Sequence, residues 1–218
     1  MSRRKEIRSL YIVHCTLFLC TLFCPLSLWA QTDSIYQGTQ IKIDIASPVV
    51  VPAINHWNIQ HYEIAANARI KDRYYPTFEL GYAGGQTTQG DTLTYNGQGG
   101  FFRIGCDINP LKKHPESPHA LLVGVRLGTA VQDFSNGEGN RNGIDADCWG
   151  EIVAGCQVEI AKVNSTAFYM GWMGRFKCLF TRQAEGLPAE QMKPIYIPGF
   201  GARDNLGWGL NYYLGWKF

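Results

Sequence analysis

Charge is scarce in this sequence. Asp, Glu, Lys and Arg make up only 17% of its 218 residues, and the net charge is +2. No basic excess is present to neutralise phosphates, so nothing points to nucleic acid. Long apolar runs are just as scarce. After residue 30 no stretch is long and apolar enough to make a membrane helix. Cysteine is thinly spread: Cys106, Cys148, Cys156 and Cys178 fit neither a zinc pattern nor a dense disulfide framework, and Cys15, Cys20 and Cys24 precede residue 30. No spaced motif for a metal or cofactor appears, and none is expected. What the chain does have is glycine (24) and aromatics (13%), which together with low charge favour an all-β fold.

The first thirty residues have the order of an export signal. Arg3, Arg4, Lys5 and Arg8 precede an apolar stretch, Leu10 to Leu28. Pro25 interrupts it, and Ala30 offers a small residue before Gln31. The expectation is a cleavable signal peptide over 1–30, cut between Ala30 and Gln31, and one domain over 31–218.

Eight stretches of that domain alternate with period two. They are Gln40–Ile45, His61–Ile70, Pro76–Ala83, Gly99–Ile108, Ala120–Val131, Gly150–Ile160, Thr166–Phe180 and Asn205–Phe218. The last is the cleanest, with Leu206, Trp208, Leu210, Tyr212, Leu214, Trp216 and Phe218 on one face. The connections alternate in length. Long ones cover about 46–60, 84–98, 132–149 and 181–204; tight ones lie near 71–75 and 161–165; the connection 109–119 is intermediate. Short turns at one end and long loops at the other are the layout of outer-membrane barrels.

Period two alone does not say which face points inward. A soluble barrel would turn its apolar face in; a membrane barrel would turn it out. The polar face decides. It carries Lys42, Arg69, Arg103, Arg126, Arg175, Lys177 and Lys217 against Asp44, Glu63, Glu79, Asp107, Glu151 and Glu159, interleaved with glycines. Near-balanced charges beside small residues suit a narrow lumen, where each charge needs a partner. The fold expected is therefore an all-β, eight-stranded antiparallel up-and-down transmembrane β-barrel. Its lumen would be filled by a charge network of Glu63, Arg69, Glu79, Arg103, Asp107, Arg126, Glu151, Glu159, Arg175 and Lys177, with no open pore.

The terminal strand, with Tyr212, Leu214, Trp216 and the aromatic Phe218, resembles the C-terminal signal of outer-membrane barrels. The stretches Gly38–Pro48, Tyr75–Tyr82, Val123–Gly128, Glu151–Glu159 and Ile195–Phe200 resemble an uncharacterised family of Bacteroidota outer-membrane β-barrels, a domain of unknown function. The chain is similar in architecture to small eight-stranded barrels of that membrane. The resemblance implies a Gram-negative outer-membrane location with both termini in the periplasm. It also implies membrane lipid and the outer-membrane insertion machinery as partners. It implies no activity.

Sites are sparse. His61 is the one weak candidate for catalysis at the outer rim, with Ser47, Asp133 and Ser135 as companions. Cys148 and Cys178 would form a cross-strand disulfide if the hairpin of the sixth and seventh strands turned around Val163. The connection 181–204, with its apolar Ile195, Tyr196 and Ile197, either folds over the mouth, docks a partner, or is an ordinary loop. The leading expectation is a non-enzymatic barrel with a structural or surface-interaction role. An outer-membrane enzyme acting on lipid, a soluble periplasmic barrel for an apolar ligand and a narrow channel are the alternatives.

Overall fold

The computed structural model describes residues 36–49, 58–71, 73–89, 93–111, 119–136, 141–181, 196–202 and 204–218. Two compact units divide the chain, residues 1–37 and 38–218. The expected signal peptide, with Ala30 and Gln31, lies outside the described residues. No helix among the described residues is long and apolar enough to cross a membrane, which says nothing of strands.

Ten strands follow one another: β1 (Tyr36–Asp44), β2 (Asn58–Ile70), β3 (Tyr74–Gln89), β4 (Leu93–Ile108), β5 (Ala120–Asn136), β6 (Arg141–Val163), β7 (Thr166–Leu179), β8 (Tyr196–Ile197), β9 (Gly201–Ala202) and β10 (Leu206–Lys217). Eight of them close a barrel in the order β1-β10-β7-β6-β5-β4-β3-β2. Seven strand pairs, β1 with β10 among them, are antiparallel, which gives the expected up-and-down barrel. Closure is made by β1 against β10, with Ile43 opposite Leu214. It leaves no sheet edge with a row of unpaired backbone groups over the paired span. The remaining two strands, β8 and β9, form a small hairpin of their own.

All eight expected strands are present, but four are much longer than their alternation suggested, and β3 runs from Tyr74 to Gln89. β4 begins at Leu93, β5 runs to Asn136 and β6 begins at Arg141. Most of 84–98 and 132–149 is thus strand rather than loop. The apolar-out pattern fades there because the faces exchange character: Tyr95, Phe134 and Trp149 point inward while Asn96, Gln98 and Asp133 point outward. The backbone ladder continues regardless, since it needs no side-chain pattern.

The turns at the other end explain the register. Asn164 adopts φ +55° in the two-residue β6–β7 turn, where asparagine tolerates the left-handed conformation well. A bulge between Glu159 and Ala161 then shifts the pairing by one. Above it Cys178 lies opposite Gly150, and the Phe180 N–H bonds the Cys148 carbonyl at 2.9 Å. The disulfide expectation therefore fails: Cys148 and Cys178 are two residues out of register, and both thiols are free.

The two faces separate cleanly. Leu80, Phe102, Val125, Ile152, Phe176 and Leu210 point outward and are all more than 40% exposed. Glu79, Arg103, Arg126, Glu151 and Arg175 point inward and are buried. Glycine makes room for the large inward groups. A Cβ on Gly128 would sit 2.4 Å from the Trp149 ring, and one on Gly124 would sit 2.1 Å from an Asp107 oxygen.

Candidate functional site

The lumen is filled in layers. Near the short turns lies an apolar cluster of Tyr75, Ala120, Leu122, Val153, Met173 and Tyr213. The ionic middle follows. Toward the long connections come two more apolar clusters, one around Phe101, Trp149, Ile197 and Phe200, the other around Tyr95, Phe134 and Tyr196.

Cross-strand pairing builds the middle layer. Glu79 on β3 is opposite Arg103 on β4, and Arg126 on β5 is opposite Glu151 on β6. Strand neighbours on one face come within reach of long side chains. Arg103 meets Glu63 at 2.9 Å, Glu79 at 3.0 Å and Glu151 at 2.9 Å. Arg126 holds Asp107 with two nitrogens, each at 2.7 Å, and reaches Glu79 at 3.1 Å. Arg175 spans Glu63 at 3.2 Å, Glu79 at 2.9 Å and Glu151 at 2.8 Å. Planar guanidinium forks suit such shared carboxylates, which a lysine would satisfy less well.

Seven of the ten residues expected in the lumen network thus meet directly or through a shared partner. The other three behave differently. The Glu159 carboxylate accepts from the Tyr169 hydroxyl at 3.2 Å. Arg69 is half-buried near the short-turn end of β2. Lys177 donates to two main-chain oxygens, Gly199 O at 2.7 Å and Phe200 O at 3.1 Å.

Several neutral groups complete the network. The Tyr213 hydroxyl donates to Glu63 at 2.6 Å, and the Trp149 indole N–H donates to Glu151 at 2.6 Å. Asn211 donates to Asp44 at 2.6 Å and accepts from Arg175. Sequence reasoning passed over Tyr213, Asn211 and Trp149 as site residues, though each shares its parity with a charged inward neighbour. A charge count finds ions but not the neutral donors that satisfy their remaining lone pairs.

The β8–β9 hairpin closes the upper lumen. Residues 196–200 are all buried. Gly199 takes φ +76°, and a Cβ there would lie 2.5 Å from the Phe101 ring, so only glycine fits. Its carbonyl accepts from Arg103 at 2.8 Å as well as from Lys177. Phe200 packs edge-on against Trp149, with ring centroids 5.8 Å apart. Tyr95 donates to the Tyr196 carbonyl at 3.2 Å, and burial raises the Tyr196 phenol above its ordinary pKa, keeping it neutral. Of the readings open for this connection, its described part is folded into the mouth.

His61 lies inside this packing. The residue is 9% exposed, its ring 5.2 Å from the Phe101 ring and its Nε2 3.5 Å from Glu63. Ser47 is buried and donates to Asp44. Asp133 and Ser135 do not join them. They alternate with the buried Gln132 and Phe134 and so face outward. Asp44, His61 and Glu63 bring three ligand atoms within 4.8 Å of one another and are the described residues placed to hold a cation. It would have to compete with Asn211 at Asp44 and with Arg103 and Arg175 at Glu63.

The chain matches the family described as Domain of unknown function (DUF6048) over residues 9–137 and 130–217. It belongs to that family. No curated protein matches it. In this DUF6048 chain the expected C-terminal signal residues lie on the outward face of β10 or just beyond it. Trp216 pairs with Phe168 of β7, and Leu214 pairs with Met170.

Proposed function

We propose that the chain is a non-enzymatic integral outer-membrane β-barrel. Its role is structural or surface-interacting, with its longer hairpins and connections outside the cell and its termini in the periplasm. The observation that carries this reading is the outward face. It is apolar on every barrel strand, in a band of about 11 residues such as Leu121 to Val131 on β5. At a tilt near 45° that height is about 25 Å, the thickness of a bilayer's hydrocarbon as met by such barrels. Above the band the same face turns polar, with Asn96, Gln98 and Asp133. In water a belt of this extent would drive aggregation.

The basic-then-apolar run at residues 3–28 and the aromatic end of β10 support export and delivery to insertion machinery. The saturated ion pairs and the seated hairpin support a sealed lumen. The burial of His61 against the Phe101 ring and beside Glu63 supports a role without catalysis.

Cell fractionation tests the proposal. The protein should stay with the outer membrane after an alkaline or urea wash, require detergent for extraction, and run at different apparent sizes before and after boiling. Planar bilayers containing it should show no steady conductance. Recovery of folded protein from the soluble fraction without detergent would overturn the reading.

A further inference from the structure

Gln40, Lys42 and Gln157 in the lower lumen are buried without a protein partner among the described residues, as is Asn67 on β2, which does not line the cavity the other three share. Gln40 and Lys42 are inward neighbours on β1, and Gln157 points inward from β6; they are 3%, 8% and 5% exposed. The Oε1 atoms of Gln40 and Gln157 accept no hydrogen bond among the described residues. The Lys42 ammonium has no hydrogen-bond partner and no carboxylate within 4.0 Å among the described residues. The other buried Lys and Arg side chains among the described residues are matched: three arginines by carboxylates, Lys177 by two carbonyls. Gln40, Lys42 and Gln157 line one cavity of about 20 Å³, together with Leu122, Met173 and Tyr213.

A buried ammonium and two buried amide oxygens are costly to leave unsatisfied. The missing partner has to accept from Lys42 and donate to both amides. Water does both, whereas an anion only accepts. A cavity of roughly 10–15 Å³ already holds one water, so the space suffices. The site also lies near the short-turn end, since Gln40 is opposite Lys217, the last residue of β10. We propose that the lower lumen is a hydration site, with water bound between Lys42, Gln40 and Gln157 and exchanging through the short-turn end while the β8–β9 hairpin seals the other. Turning the two amides over would instead present their NH2 groups to the cavity and make a small anion the fitting occupant; the second arm below separates the two.

The inference needs only the closed barrel, so it stands or falls apart from the membrane reading. All seven native cysteines are replaced by alanine, and the barrel is folded in detergent and checked by its boiling-dependent mobility. Lys42→Cys is then compared with Ala130→Cys, which lies in the apolar cluster under the hairpin. A thiolate in contact with water attacks a small charged methanethiosulfonate, forming a mixed disulfide and expelling methanesulfinate, so the cysteine at 42 should react about tenfold faster or more. Equally slow reaction at both positions means a dry cavity and overturns the proposal. Gln40→Cys reports on the same cavity should Lys42→Cys fail to fold. In the second arm, the unfolding midpoint is followed with chloride replaced by a bulky anion at constant ionic strength. No difference between wild type and Lys42→Met is expected. Chloride-dependent stabilisation that disappears in Lys42→Met assigns the cavity to an anion and overturns the water reading.

Discussion

The middle and the lower lumen use the same kinds of side chain to opposite effect. In the middle, Arg103, Arg126 and Arg175 share four carboxylates, and the leftover lone pairs are met by Tyr213, Trp149 and Asn211. In the lower part, Lys42 and two glutamines line one cavity without a hydrogen bond between them. The difference is geometric. Guanidinium forks on β4, β5 and β7 reach across the barrel to several acids at once. A single ammonium on β1 feels Asp107 and Glu79 of the ionic layer only at a distance, with no carboxylate in contact among the described residues. Ion pairs of the first kind bind strands together, while a group of the second kind contributes little to holding the fold.

Removing the hub should break the comparison most visibly. Arg175→Leu strips partners from Glu63, Glu79 and Glu151 together and should cost about 3–5 kcal/mol, measured by urea unfolding of the refolded barrel. A loss under about 1 kcal/mol would show that the middle is no more coupled than the exposed surface. Arg175→Lys should restore only part of the loss, because one ammonium cannot reproduce the fork.

Lys177→Met tests the boundary between the ionic layer and the hairpin. It leaves the Phe200 carbonyl without its donor and Gly199 with Arg103 alone. The expected cost is about 1–3 kcal/mol, accompanied by faster proteolysis within the 181–204 connection. Unchanged proteolysis would mean that apolar packing of Ile197 and Phe200 holds the hairpin unaided.

Lys42→Met should sharpen the contrast from the other side. It removes a desolvated cation that has no counter-ion in contact, so stability should change by less than about 1 kcal/mol, or rise. A loss as large as that of Arg175→Leu would place Lys42 inside the network and erase the distinction. The smallest effect is expected at Cys148→Ser, within about 0.5 kcal/mol, because the thiol is exposed and unbridged. Thiol counting on unfolded protein under non-reducing conditions should find both Cys148 and Cys178 free.

Much of this was legible in the sequence. The barrel followed from period-two alternation, and the inward acids and bases followed from parity once the apolar face was turned outward. Three things were not legible. The upper parts of β3 to β6 do not continue the apolar-out pattern, because the inward face turns apolar at Tyr95, Phe134 and Trp149 while the outward face turns polar at Asn96, Gln98 and Asp133. Register across β6 and β7 depended on the turn at Asn164 and on a bulge near Ile160, and one residue of error there was enough to pair the wrong cysteines. The hairpin's attachment was hidden for another reason: Lys177 has the parity of a network residue, yet its partners are main-chain oxygens that any sequence supplies.

That last feature bears on how such chains can drift over generations. Arg103 and Lys177 clasp the peptide backbone at Gly199 and Phe200, so the stopper's side chains carry little of its address. Substitution at Tyr196 or Ile197 can proceed while shape and greasiness are roughly kept. The two cations and the one glycine are then the fixed points by which a stoppered relative should be recognised.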